Sequence, residues 1–315
     1  MNDKKIHEYQ KLIRVKAHDG FMVVSFMVTK NHVHDPDILH TPIVLQIHGL
    51  LGHFLARGTP RLLPHALLKH GFNSLSINTR MAFAGQMTGR GIFDDTIHDI
   101  DAAVNLLGYM GFKNIFIMGY SLGASMAVNW AANRHHPKVR GLILEGIHYS
   151  LPKSQRRDFE KWGSNPTYDE IYDRAKKTLG SNPYESVDDE TFVVYGSRGE
   201  GREPMSSEVF TYKSWWFMGG PEADRAMAYK HIGRVGLPIL FIRGENDFLI
   251  EEWEPKELAK IVLDSGNPHV RIREIAGAKH DCMENPDMTL GEICDMLTVY
   301  SVKPGPDTIE ESTMG

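Results

Sequence analysis

Short, continuous apolar runs alternate with stretches of helical periodicity along most of this chain, and that alternation limits the fold more than any other feature. The runs fall at 43–47, 73–77, 115–118, 142–144, 239–242 and 270–275. Strands that are apolar on both faces belong to a parallel sheet with helices packed on each side. Helical spacing over 61–69, 95–110, 122–133, 255–264 and 290–298 supplies the crossovers. In the segment 95–110 the apolar Ile97, Ile100, Val104 and Leu107 lie on one helical face. A hairpin precedes this pattern: 6–16 and 21–29 flank Asp19-Gly20, a strong turn signal. The predicted class is therefore α/β.

The alternation breaks from about 147 to 233. This stretch is polar and aromatic, holds Trp162, Trp215 and Trp216, and includes the polar loop 197–202. It reads as an insertion over the sheet, flanked by a first core part at 1–146 and a second at 234–302. The tail 303–315, with acids, prolines and small residues, is expected to be disordered.

Composition narrows the partners. A net charge of -5 leaves no basic footprint for nucleic acid. No apolar run reaches the roughly 18 residues of a membrane span. The charged N-terminus lacks a signal-peptide pattern. Cys282 and Cys294 are too few for a disulfide framework. The expectation is a cytoplasmic protein acting on a small molecule. Nothing in the sequence sets its oligomeric state.

Gly119-Tyr120-Ser121-Leu122-Gly123 fits G-x-S-x-G. Alone the pentapeptide is weak, but here it follows an apolar strand directly and opens a helix. That setting is a nucleophile elbow, in which a tight turn holds the serine hydroxyl out at the sheet edge. The bland alternative is a serine N-cap between two packing glycines.

A serine hydroxyl needs a base before it can attack. The chain has 16 histidines, and position discriminates among them. In such folds the partners follow in the order Ser, acid, His, each on a loop after a late strand. His280 follows the last run, whereas His269 precedes it. Asp247, after the run at 239–242, is the first choice for the acid that orients the imidazole. Glu145 ranks second and Glu245 third. Oxyanion donors are expected from the N–H of Leu122 and from the loop His48-Gly49-Leu50-Leu51-Gly52-His53, with Leu50 preferred and Leu51 possible. His48 reads as a brace for that loop. His48 and His53 make a poor metal pair, because no third ligand is spaced to join them.

These residues resemble the α/β-hydrolase superfamily over 41–147 and 237–282, in the His-Gly loop, the elbow and the Asp and His placements. The resemblance implies an eight-stranded, mostly parallel sheet, no cofactor, no metal, and a lid inserted after the sixth strand. Serine at 121 argues against the branches that use aspartate there. Asn78-Thr79-Arg80 is similar to a segment of some microbial and fungal esterases.

The leading expectation is hydrolysis of a carboxylic ester through an acyl-enzyme on Ser121. The same parts would serve a thioester, lactone, amide or carbon–carbon bond, and a hydrolase-fold ligand-binding protein is the non-enzymatic alternative. Trp215, Trp216 and Phe217 would either line an apolar substrate site or anchor the insertion. Arg156 and Arg157 read as a solvated helix face. Cys282, two residues from His280, invites inhibition by thiol modification through crowding.

Overall fold

A computed structural model describes residues 8–31, 36–86, 90–187, 190–197 and 207–302. The tail 303–315 and most of the polar loop at 197–202 lie outside them. Eight strands form one sheet: β1 (Tyr9–Lys16), β2 (Met22–Thr29), β3 (Ile43–Ile47), β4 (Asn73–Asn78), β5 (Ile115–Tyr120), β6 (Val139–Glu145), β9 (Ile239–Gly244) and β10 (Val270–Ile275). A separate hairpin pairs β7 (Thr191–Tyr195) with β8 (Ser207–Thr211). The order across the large sheet is β1-β2-β4-β3-β5-β6-β9-β10. Only the β1–β2 and β2–β4 pairings are antiparallel.

The central strands are buried on both faces because their side chains alternate between two cores. On β5, Ile115 and Ile117 join Leu45, Leu142 and Phe241 on one side of the sheet. Phe116 and Met118 join Val44, Ile143 and Leu240 on the other. Helices α3 (Thr96–Met110) and α4 (Leu122–Asn133) cover the first face, while α2 (Thr59–Lys69) and α10 (Pro286–Tyr300) cover the second. A short α1 (Pro36–His40) precedes β3, and α9 (Trp253–Asp264) links β9 to β10.

This order reverses at β3. The chain runs from β3 outward to β4, then crosses to place β5 on β3's other side. The crevice at the carboxyl ends of strands beside such a reversal is where open α/β sheets bind ligands. The loop after β3 and the elbow after β5 both emerge there.

Strands β6 and β9 are hydrogen-bonded neighbours, so everything between them is inserted. The insertion holds α5 (Leu151–Trp162), α6 (Tyr168–Leu179), the β7–β8 hairpin, α7 (Tyr212–Trp216) and α8 (Ala228–His231). Local signals set its helix ends: Ser150 caps α5, Gly163 closes it in the left-handed conformation, and Thr167 with Glu170 forms a capping box on α6. Its own core is aromatic, with Tyr168, Phe192, Phe210 and Trp215 buried together.

Candidate active site

Ser121 sits between β5 and α4 with φ 54° and ψ -119°, a conformation that L residues rarely adopt. Such backbone survives only where its surroundings enforce it. Gly119 and Gly123 do so here: a Cβ on Gly119 would collide with Gly123 O and the Ala124 backbone, and one on Gly123 would lie 2.5 Å from Ile47 O. The Ser121 N–H donates to Glu145 O at 2.8 Å, locking the turn to the end of β6.

The Nδ1–H of His280 donates to Oδ2 of Asp247 at 2.8 Å. Oδ1 of the same carboxylate accepts from the amides of Leu249 (2.9 Å) and Ile250 (3.1 Å). Burial alone would raise this carboxyl's pKa. The imidazole and the two amides outweigh it and hold the group below its ordinary range. The other two carboxylates weighed for this place are engaged elsewhere. Glu245 accepts the Gly277 N–H at 2.7 Å, and Glu145 accepts from Thr59 Oγ1 and the Cys282 N–H, both at 2.9 Å.

The imidazole lies against Gly146, which directly follows Glu145. Gly146 has φ 61°, and a Cβ there would come within 2.8 Å of His280 Cε1. The Tyr120 ring flanks it, with centroids 5.4 Å apart. His280 Nε2 is buried without a hydrogen-bond partner among the described residues, so its link to the Ser121 hydroxyl is open in this state. Hydrogen bonds of this kind are often long before substrate binds.

The loop after β3 closes the other side of Ser121. A Cβ on Gly49 would lie 3.2 Å from Ser121 Cβ. Leu50 and Leu122 line the same cleft as Ser121. The Leu51 N–H is committed to Ala84 O at 3.0 Å, which leaves Leu50 as the loop's donor of choice. His48 braces this loop. Its Nε2 accepts the Thr79 N–H at 3.3 Å, which assigns the proton to Nδ1, 2.9 Å from Gly49 O. Burial pushes its pKa down to about 4, so the ring is neutral.

Behind the histidine loop lies a network whose members stand far apart along the chain. The Thr59 hydroxyl is 2.9 Å from both Glu145 Oε1 and Asp281 Oδ1. One hydroxyl proton cannot serve two carboxylates, so a second proton belongs on this chain of groups. Burial pushes the Glu145 carboxyl up to about 7, against the pull of the Cys282 amide and Thr59, which favours its protonated form. Cys282 itself is fully buried, and burial drives its thiol far above the ordinary range, so it offers no accessible reagent site.

Three aromatic residues considered for the substrate site stand elsewhere. Trp215 is wholly buried within the insertion, edge-on to Tyr168 and Phe192. Trp216 stacks on Tyr172, and Phe217 packs on Tyr184. None lines the cleft at Ser121, because a Trp pair on a single-turn helix faces the insertion's own core. The surface reading also fails for Arg157. Arg156 stays at the surface with Asp169, but Arg157 turns inward to Glu254 (2.8 Å), Asp158 (3.1 Å) and Leu249 O (2.6 Å). Among the described residues no group of three or more His, Cys, Asp or Glu could hold a metal ion. No helix among them is long and apolar enough to cross a membrane.

The model of the alpha/beta hydrolase family matches residues 45–291. The chain belongs to that family. Solved structures agree on the fold of this α/β-hydrolase. The esterase Pf2001 of Pyrococcus furiosus superposes with a TM-score of 0.64 at 17% identity, over 96% of this chain and 94% of its own. Est1E of Butyrivibrio proteoclasticus gives 0.57 at 15%, covering 91% and 99%. The alpha/beta hydrolase GrgF from Penicillium sp. sh18 gives 0.63 at 11%, covering 93% and 99%. No curated protein matches the sequence.

Proposed function

We propose that this α/β-hydrolase cleaves carboxylic esters through an acyl-enzyme on Ser121. The observation that carries the reading is the 2.8 Å bond from His280 Nδ1 to Asp247, made by a ring packed on Gly146 and Tyr120 beside the strained elbow. The esterase relatives in the same fold support it. His280 Nε2 takes the Ser121 proton as Oγ attacks the ester carbonyl. The N–H groups of Leu50 and Leu122 stabilise the oxyanion. The imidazolium returns its proton to the leaving alkoxide, and the alcohol departs. Water, deprotonated by the same nitrogen, then releases the acid and frees Ser121. Asp247 fixes the tautomer and stabilises the imidazolium without itself taking a proton. The insertion acts as the lid that shapes the substrate site, and no cofactor or metal enters the scheme.

The test is intact mass after fluorophosphonate treatment, together with turnover of p-nitrophenyl esters. One adduct mapped to Ser121, with turnover that Ser121→Ala abolishes, is the expected result. Labelling or turnover that survives in Ser121→Ala would remove Ser121 from the chemistry.

A further inference from the structure

The cleft beside Ser121 is largely apolar, lined by Leu50, Leu122 and Leu249 together with Leu151, Phe159 and Met218 of the insertion. The insertion also sets polar groups among them. Residues Leu151, Ser154, Gln155, Asp158 and Phe159 present one face of α5 to the cleft, at the three- and four-residue spacing of a helix. Ser197, after β7, and Glu208, on β8, join them. The cleft is narrow, with a cavity volume of about 40 Å³.

Several of these groups are buried short of partners. Ser197 is 3% exposed, and its hydroxyl has no hydrogen-bond partner among the described residues. The Gln155 Oε1 atom is likewise buried and unpaired. Asp158 is 8% exposed, and its ion pair to Arg157 engages Oδ1 alone among the described residues. An alkyl chain seated here would seal these groups away from water unsatisfied, each at a cost that a hydrogen-bonding ligand avoids.

Charge narrows the class further. Asp158, Glu208 and His148 line the cleft, and among the described residues no lysine or arginine does, which disfavours an anionic ligand. Arg157 offsets the charge of Asp158 at 3.1 Å, so that carboxylate does not itself call for a cation. What fits is a neutral group rich in hydroxyls. A hydroxyl can donate to Asp158 and Gln155 and exchange hydrogen bonds with Ser154 and Ser197.

We propose that the cleft selects esters in which the portion entering it, on the acyl or the alcohol side, carries neutral hydroxyl groups held by Asp158, Gln155 and Ser197. This rests on the ester-hydrolase reading above. The specificity then comes from one face of α5, and the tryptophans of the insertion take no direct part in it.

Two matched sets of esters test this. Methyl esters of ω-hydroxyalkanoic acids against those of the parent alkanoic acids probe the acyl side. Glyceryl against propyl monoesters of one acid probe the alcohol side. One set should show a kcat/KM preference for the hydroxylated member of about tenfold to a hundredfold, the range of a hydrogen bond to a charged or buried polar group. The set that shows it identifies which portion enters the cleft. Asp158→Leu should erase or invert that ratio, and Ser197→Ala should reduce it several-fold. Should Asp158→Leu fail to fold, Ser197→Ala and Gln155→Leu carry the test, alongside the wild-type ratio, which needs no variant. Equal or better turnover of the apolar members in both sets overturns the proposal, as does a preference indifferent to Asp158→Leu in a folded variant. Fluorophosphonate labelling of Ser121 separates this failure from failure of the underlying reading: labelled enzyme with the wrong preference refutes only the selectivity, whereas no label and no turnover on any ester refutes both.

Discussion

The carboxyl of Glu145 is fully buried at the end of β6, and its Oε2 has no partner. Its protonation can be read as stability. Burial raises its pKa from an ordinary 4.5 to about 7, and about 1.4 kcal/mol attaches to each tenfold change in proton affinity. The full effect is therefore about 3 kcal/mol. Below the unfolded value the group is protonated in both states, and its contribution is fully present. As pH rises toward 7 the unfolded chain ionises first, the folded chain keeps its proton, and stability is lost until the folded value is passed. Between about pH 5 and about pH 8 the loss should be roughly 2–3 kcal/mol. Replacing Glu145 by Gln keeps the shape, keeps an oxygen for Thr59 and Cys282, and removes the titration. Urea unfolding of wild type and Glu145→Gln at the two pH values, followed by tryptophan fluorescence, measures the difference. Contributions from groups remote from Glu145, including Asp158, cancel between the two proteins. The wild type should lose about 2–3 kcal/mol more than the variant on going to high pH. Parallel pH profiles, equal within about 1 kcal/mol, would refute the reasoning and place an ionised carboxylate behind the histidine loop.

Two other substitutions separate roles that the structure assigns to neighbouring residues. Asp247→Asn should lower kcat by on the order of 10⁴-fold by favouring the wrong imidazole tautomer, whereas Glu145→Gln should cost far less; steady-state rates showing the reverse order would exchange the two assignments. Trp215→Ala should destabilise the protein by about 3–5 kcal/mol, because the side chain is wholly buried, yet leave the ratio of kcat/KM values among different esters unchanged. A small loss of stability with a shifted ester preference would instead put Trp215 in the substrate site.

The parts of the molecule legible in the sequence are those whose signals are local and whose context is repetitive. Strands β3, β5 and β9 announce themselves because burial on both faces demands unbroken apolar runs. The elbow was readable because strand, glycines and helix adjoin in one segment. The helix 255–264 begins two residues earlier in the structure, at Trp253, and 290–298 extends to Pro286–Tyr300, since polar end turns carry little periodic signal. The insertion was less transparent. Hydrophobicity marked Trp215, Trp216 and Phe217 as buried but not against what, and the answer was one another's neighbours in the insertion. On α5 Arg157 looked solvated, although it reaches Glu254, and Asp158, which carried no signal in the sequence, faces the cleft. Thr59 could not be found at all: it opens α2, 86 residues from Glu145, and a lone threonine before a proline carries no mark of its partners.

Arg157 has a wider consequence. Its guanidinium reaches out of the insertion to the carbonyl of Leu249, the residue whose amide holds Asp247 in place. The segment we propose to choose the substrate and the loop we propose to orient the base are thus fastened at one joint. An insertion from a relative, transplanted between β6 and β9, would arrive without that joint, and the carboxylate loop would lose its outer support. On that reading selectivity and catalytic alignment are inherited as one piece, and changing the first means rebuilding the second.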